Sequence, residues 1–337
     1  PLVYKGIVFN EMKGAMSSPE ARLWNSLMEQ LTPDLPYAYN SGGDPKEIPK
    51  LTYEELKNFH KTFYHPSRAL FFFYGNLPLK NHLDCLEKNA LKSFEKVPPL
   101  PPILKQNRFS SPKTCLSSYP LDVKKSGKKT YCAFTWLTTT IENQEEVLAL
   151  SVLDSILMET DASPLKERLL KSGLCTQADG YIDLEMSEIP YTIICQGCNE
   201  KDQSALKTII FKTLTELASK DFSPSLIEAA LHQLEFSRLE INGDHGPFGL
   251  TLFMRAGLLK QHNSSPESGL KIYSQFNRLR NQVKEPSFFS SLINKYLVNN
   301  PHFVDLTMKP SPTLSEEEAI FEQKELENVR QNLSEKS

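Results

Sequence analysis

The sequence has 337 residues, of which 39% are apolar and 23% are charged, and its formal net charge is −3. This length suffices for roughly two domains with their own cores, and the composition is globular rather than disordered. The slight acidity argues against a nucleic-acid partner, because nucleic-acid-binding domains usually carry a basic excess. The longest apolar run, residues 69–74, is far shorter than the ~18 residues of a membrane span, so we expect no membrane partner either.

One glutamate near the start of the chain is the best candidate for a chemical role. Drawn as a helix, the segment places Tyr4, Val8, Glu11 and Ala15 on one face. A carboxylate within an apolar stripe must be hydrogen-bonded, protonated or matched by a cation. The residues alone leave two interpretations open: a structural acid that is bonded to a helix end or a lysine, and a metal ligand.

Capping residues predict two helices in the first hundred residues. Ser18, followed by Pro19 and Glu20, marks the start of the first, and Thr52 with Glu55 forms a capping box at the start of the second. Beyond them, residues 68–74 read as a strand and residues 79–92 as a further helix.

A loop rich in turn formers lies between the two capped helices and contains Ser41, Gly42, Gly43 and Asp44. Glycines permit close approach of a ligand to the backbone, which suits an anion-binding or substrate-shaping loop. A plain turn capped by Asp44 explains the same residues equally well, so both interpretations stay open.

Four prolines within residues 98–102 predict an extended linker, because proline fits neither a helix interior nor a central strand. After it, runs near 115–121, 130–138, 175–184, 190–197 and 302–308 read as strands, with helical stretches between them and a charged helix at 314–334. The predicted fold class is α+β, with two-layer domains and largely antiparallel sheets. The predicted units are residues 1–95, a linker at 96–113, a second domain at 114–310 and a connector at 311–337.

Other reactive residue types favour structural roles. The sequence holds no phosphate-binding glycine loop and no nucleophile elbow. We interpret the remaining candidates as helix-end, sheet-edge, loop and turn residues; they are His60 with His65, Cys195 with Cys198, Asp244 with His245, and the basic run Lys124–Lys129. The six dilute cysteines fit a reducing compartment, such as a bacterial cytoplasm or an organelle matrix.

Three dense blocks in the first 80 residues resemble the pitrilysin–insulinase zinc peptidases, most closely the presequence-protease and falcilysin branch. They read G-I-V-F-N-E-M-K-G at 6–14, Y-N-S-G-G-D-P-K at 39–46 and I-P-K-L-T at 48–52, and shorter matches follow at Tyr64–Ser67 and Phe73–Asn76. The later part of the chain fits more loosely, most clearly at Phe248–Leu250 and Thr307–Pro310.

The resemblance implies a specific role for Glu11. In that family, two histidines of an inverted H-x-x-E-H motif and a distal glutamate of the N-E-M-K-G block hold one Zn²⁺, so Glu11 matches the distal ligand. The motif, which includes the catalytic glutamate, is expected upstream of Pro1, so no catalytic residue is assigned within this chain. The resemblance also implies four related domains in two halves joined by a helical hairpin, of which this chain matches part of the first half.

The resemblance therefore implies that this chain is part of a zinc-dependent endopeptidase that degrades unstructured peptides in an enclosed chamber. Its expected partners are peptide substrates and the remaining parts of the same polypeptide. Since one carboxylate cannot hold zinc tightly, we expect this chain alone to be inactive and to bind no stoichiometric zinc. The alternative from another class is a non-catalytic scaffold or peptide-binding subunit of the same fold.

Overall fold

A computed structural model describes residues 2–121, 129–241 and 246–333. Most of Lys124–Lys129, and both Asp244 and His245, lie outside these ranges. The helices are α1 Ile7–Ala15, α2 Pro19–Leu31, α3 Tyr53–Phe63, α4 Leu79–Leu86, α5 Gln144–Met158, α6 Pro164–Lys171, α7 Gln203–Ala218, α8 Pro224–Leu239, α9 Phe248–Gln261, α10 Ile272–Gln282, α11 Phe288–Ile293 and α12 Leu314–Asn332. The strands are β1 Lys113–Pro120, β2 Thr130–Thr140, β3 Gln177–Ile182, β4 Glu188–Cys198 and β5 Phe303–Ser311.

The five strands form one sheet in the order β1-β5-β2-β4-β3. Three of the four pairings are antiparallel, and only β1 and β5 run parallel. The α+β class with a largely antiparallel sheet is therefore confirmed. None of the helices in the described ranges is long and apolar enough to cross a membrane.

One face of the sheet carries the main hydrophobic core. Helices α5, α6, α7, α8, α10 and α11 pack there, because each turns an apolar stripe toward the strands. Trp136 of β2 and Phe303 of β5 lie at its centre, with ring centroids 4.7 Å apart and no solvent exposure. Burial of such large rings contributes most to the stability of this face.

The other face of the sheet is covered by α2. Its start agrees with the sequence, since the Ser18 hydroxyl accepts a hydrogen bond from the Ala21 amide. Its fully buried side chains Leu27 and Leu31 pack with Val304 and Leu306 of β5. Helix α2 therefore belongs to the same packed body as the sheet and holds the adjacent helix α1 near it.

His302 joins three separate segments at the end of α2. Its Nδ1 accepts a hydrogen bond from the Phe109 amide at 3.1 Å, so its Nε2 donates to the Leu31 carbonyl at 2.7 Å. The imidazole also stacks on the Phe109 ring, with centroids 3.7 Å apart. One neutral imidazole thereby fixes the end of the linker and the end of α2 to the start of β5.

The segment from 51 to 104 has no buried residue. The predicted capping box at Thr52 and Glu55 is confirmed, and helix α3 follows it. The strand predicted at 68–74 is wrong: Pro66–Arg68 is a 3-10 turn, and residues 69–74 form neither helix nor strand. Phe72 and Tyr74 instead lie against α9, with ring centroids 5.3 Å from Phe253 and 6.2 Å from Phe248, and Phe73 stacks on His82 of α4.

The proline-rich linker has no regular secondary structure between residues 94 and 112. The buried carboxylate of Glu188 nevertheless fixes the last part of the linker. It accepts a hydrogen bond from the Gln106 amide at 2.6 Å and forms an ion pair with Arg108 at 2.7 Å. The division of the chain into the four predicted units stays a prediction.

Candidate functional site

Helix α1 carries the N-E-M-K-G block and has two different faces. Phe9 and Met12 are buried, whereas Ile7 is 88% exposed and Val8 is 53% exposed. Glu11 and Ala15 lie on that same exposed side. The apolar residues predicted beside Glu11 therefore do share its face, but in this chain that face is exposed to solvent and the opposite face of the helix is packed.

Glu11 does not form a complete metal site by itself. Within the described ranges, no group of three or more histidine, cysteine, aspartate or glutamate side chains could hold a metal ion. A catalytic zinc site needs three protein ligands, and α1 offers one carboxylate. The residues present therefore do not fit a whole zinc site, and the role of Glu11 as one ligand stays a prediction.

His60 lies in the last turn of α3 and His65 lies just after the helix, and both have the structural contacts that the sequence analysis predicted. His60 stacks on Tyr64 with ring centroids 4.9 Å apart, and His65 accepts a hydrogen bond from the Ser67 amide at 3.2 Å. These contacts are those of helix-end packing and capping.

The loop with Ser41, Gly42, Gly43 and Asp44 has the geometry of a turn. Asp44 caps it, since its carboxylate accepts a hydrogen bond from the Lys46 amide at 2.8 Å. Gly43 has a φ of 93°, a left-handed conformation that favours glycine. The loop also packs on α1, because a Cβ at Gly42 would overlap the Met12 sulfur. Whether the loop also shapes a ligand site stays open.

A cavity of about 1120 Å³ separates this loop, α1 and α2 from the long helix α12. Gly43 and Asp44 line it together with Phe9 and Lys13 of α1. The far wall is α12, which contributes Glu322 and Phe321. The sequence indicated each of these elements but gave no sign that they enclose one space.

Ion pairs hold α12 over this cavity. Arg22 binds Glu318 through two contacts of 3.0 Å, and Lys13 binds Glu322 at 2.5 Å. Each residue of α12 is exposed or half-buried, and the role of this helix as a connector stays a prediction. Since α12 has an acidic side facing basic residues of α1 and α2, its placement depends mainly on charge.

Four cysteines from different parts of the sequence lie close together in the core, which their spacing in the sequence did not indicate. Cys195 and Cys198 lie at the end of the inner strand β4 and not at the sheet edge, and both are fully buried. The Cys198 thiol donates to the Cys195 carbonyl at 3.5 Å, and the Cys175 thiol donates to the Leu169 carbonyl at 3.6 Å. Interaction with the neighbouring thiols of Cys175 and Cys132, together with burial, raises the pKa of Cys195 and of Cys198. Such thiols are poor nucleophiles, so their role is packing. Only the cross-strand pairing of Cys132 with Cys195, which the sequence does not fix, could have revealed the cluster.

The family model described as the peptidase M16 inactive domain matches residues 50–234, more than half of the chain. The chain belongs to the peptidase M16 family. Over 340 residues it is 36% identical to the mitochondrial presequence protease of Xenopus laevis, covering 99% of this chain and 33% of that protein. It is also 30% identical to protein HypA of Clostridium perfringens, covering 100% of this chain and 34% of that protein.

Solved structures of other proteins share the fold of this chain. A protease from Helicobacter pylori superposes with a TM-score of 0.70 at 19% identity, covering 90% of this chain and 70% of that chain. The chain spans about one third of the length of the curated M16 relatives it matches. Glu11 and the loop at 41–44 both precede the matched inactive domain at 50–234.

Proposed function

We propose that this chain is part of a zinc-dependent endopeptidase that degrades unstructured peptides in an enclosed chamber. The observation that carries the proposal is the exposed face of α1, where Glu11 lies among the uncovered side chains of Ile7, Val8 and Ala15. An apolar helix face with one carboxylate at its centre suits burial against another element that brings a cation. The similarity to a presequence protease over nearly the whole chain agrees with this role.

In this proposal, Glu11 supplies one carboxylate to a Zn²⁺ ion, and the other ligands come from the preceding part of a longer polypeptide. The zinc, when bound, supplies an activated water and polarises the peptide carbonyl. This chain's own contribution is to hold Glu11 in place through α1, whose inner residues Phe9 and Met12 are packed.

The test uses the longer polypeptide with Glu11→Gln, which keeps the shape of the side chain and removes its charge. We expect zinc affinity to fall at least tenfold and cleavage of a fluorogenic peptide to be lost, because one of three protein ligands is lost. The 337-residue chain alone should neither bind zinc at submicromolar concentration nor cleave the peptide. Zinc content is measured by calorimetry and elemental analysis.

The matched control is Glu54→Gln, because Glu54 is exposed on α3 and pairs only with Lys57 within the described residues. It should leave both measurements unchanged. Full cleavage by the Glu11→Gln protein would remove Glu11 from the site, and submicromolar zinc binding by this chain alone would contradict the shared-site proposal.

A second candidate is a non-catalytic scaffold or peptide-binding subunit, which the match to the inactive domain favours for residues 50–234. An intact H-x-x-E-H motif in the preceding sequence supports the peptidase, and its loss supports the scaffold. For the compartment, we propose an organelle matrix or a bacterial cytoplasm; the Xenopus relative is named mitochondrial, and no disulfide joins the six cysteines, all of which lie in the described ranges.

A further inference from the structure

Arg22 of α2 contacts both α1 and α12. Its Nε donates a hydrogen bond to the carbonyl of Met16, the residue that caps the C-terminal end of α1. Its two terminal nitrogens donate to the two carboxylate oxygens of Glu318 on α12, each at 3.0 Å. A guanidinium can hold a carbonyl and a carboxylate at once because its five donors form a rigid, planar fork.

The Arg22 contacts are shielded enough from solvent to carry energy. The Arg22 side chain is 16% exposed and the Glu318 side chain 34% exposed. A bidentate pair of this kind is stronger than an isolated surface pair. The neighbouring pair of Lys13 with Glu322 is short, at 2.5 Å, but Lys13 is 56% exposed, so water and salt weaken it.

Helix α12 has few other contacts that fix its position: part of it lies beside β1, and the Lys46 ammonium is 5.5 Å from the centroid of the Phe321 ring. Its Ile320 and Phe321 side chains are 44% and 42% exposed. The space between α12 and α1 is the cavity of about 1120 Å³ rather than a packed interface. Since apolar packing supplies most of the stability of a docked helix, α12 depends on its ion pairs for its position.

We propose that Arg22 is a positioning residue that couples α12 to α1, so that the placement of α12 sets the placement of Glu11. Glu318 binds Arg22, and Arg22 binds the carbonyl of Met16, which caps the end of α1. Glu11 lies on α1 about one and a half turns before Met16. Lys13 and Glu322 form a weaker second link on the same helix. The coupling of the two helices is independent of zinc; its consequence for peptide cleavage rests on the function proposed above.

The first test measures hydrogen exchange at the amides of α1 in the 337-residue chain. Glu318→Gln removes the charge on α12 but leaves Arg22 and its bond to Met16 in place. We expect exchange at the amides of α1 to become about fivefold faster, because the loss of a charge-assisted bidentate bond favours local opening. High salt should accelerate exchange in the wild-type chain and have little further effect on the variant.

Glu327→Gln is the control on the same helix, because Glu327 pairs with Arg330 one turn away and not with α1 or α2. It should leave α1 unchanged. Unchanged exchange in the buried helix α5 confirms that both variants are folded. Equal exchange at α1 in the Glu318→Gln and Glu327→Gln chains would overturn the coupling.

The second test measures steady-state peptide cleavage by the longer polypeptide. We expect Glu318→Gln to lower kcat at least threefold with less than a twofold change in KM, whereas Glu327→Gln changes neither. Arg22→Lys, which keeps the charge but not the fork, should also lower kcat. If Glu318→Gln accelerates exchange at α1 and yet leaves kcat unchanged, the positioning role is overturned. If the wild-type polypeptide cleaves no peptide, the proposed function fails, and the exchange experiment still decides the coupling.

Discussion

Asp154 is a carboxyl group buried in the main core. It lies on α5 beside Gly180 of β3, where a Cβ would meet its Oδ1, and that oxygen makes no hydrogen bond of normal geometry. Burial raises its pKa to about 6, and the Glu159 charge acts in the same direction, while the hydroxyl of Tyr191 partly opposes the shift. The charged form is therefore disfavoured in the folded state, so Asp154 lowers stability increasingly as the pH rises from about 4, and by its full amount above pH 6.

We predict that Asp154→Asn stabilises the chain at neutral pH. Since the pKa rises from 3.8 to about 6 on folding, the cost is absent below pH 4 and grows as the pH rises through 6. The gain in the free energy of unfolding should be up to about 3 kcal/mol at pH 7.5 and about half that at pH 5. Urea unfolding at both pH values measures it.

The control is Asp161→Asn, because the Asp161 side chain is 84% exposed. It should change the free energy of unfolding little at either pH. A pH-independent effect of Asp154→Asn would show that the aspartate ionises in the folded state with an ordinary pKa, and this would contradict the prediction.

Single residues also show how far the sequence alone could lead. The helical spacing placed Glu11 correctly on the same face as Val8 and Ala15, because the 3.6-residue period is a local property. Which face is covered depends on distant parts of the chain, so the exposure of Glu11 could not be predicted. Cys132 meets Cys195 through the pairing of β2 with β4, which spacing in the sequence does not encode.

At the scale of elements, His302 fixes α2, the linker and β5 to one another only while its imidazole is neutral. Burial lowers its pKa to about 4, and the charges of Arg108 and Lys113 act in the same direction. The stability it contributes is therefore present above pH 6.5 and is lost as the pH falls toward 4. This dependence has the opposite sign to that of Asp154.

We predict that His302→Phe removes this part of the pH dependence. The phenyl ring can keep the stacking on Phe109, but the Phe109 amide and the Leu31 carbonyl lose their partner, so the variant should be less stable at pH 7. Between pH 7 and 5, the wild-type chain should lose about 1–2 kcal/mol more than the variant.

The comparison is best made by urea unfolding with Asp154→Asn present in both chains, because this removes the opposing titration. His232→Gln, at an exposed position of α8, is the control and should behave as its parent. Parallel pH profiles of the His302→Phe chain and its parent would contradict the prediction.

Element boundaries were predictable where a local signal exists, as at the caps of α2 and α3. The strand predicted at 68–74 failed for a physical reason. Its apolar run has strand propensity, but a strand exists only when another strand pairs with it, and residues 69–74 lie against α9 instead. The five strands of the sheet were all predicted, because each has its pairing partner within the described chain.

At the scale of the whole molecule, the sheet and its helices form a packed body, whereas residues 51–104 include no buried residue. Phe134 of the sheet is fully buried, whereas every residue of α3 is exposed, including its apolar face with Leu56, Phe59 and Phe63. Apolar residues at this helical spacing are typical of a buried face, but in this chain the face is exposed. If the chain is part of a longer peptidase, as we propose, another part of that polypeptide covers it.

We therefore predict that Phe59→Ala has different effects in the two contexts. In the 337-residue chain it should cost less than about 1 kcal/mol, because the ring is 55% exposed, whereas Phe134→Ala should cost about 3–5 kcal/mol. In the longer polypeptide, Phe59→Ala should accelerate amide exchange throughout α3 at least tenfold, because a covered ring then leaves a cavity. Urea unfolding measures the first effect and hydrogen exchange the second, with Lys57→Ala on the same helix as the control.

An unchanged exchange rate in the longer polypeptide would mean that α3 stays uncovered there. An unfolding cost near that of Phe134→Ala in the 337-residue chain would mean that α3 is already packed in this chain.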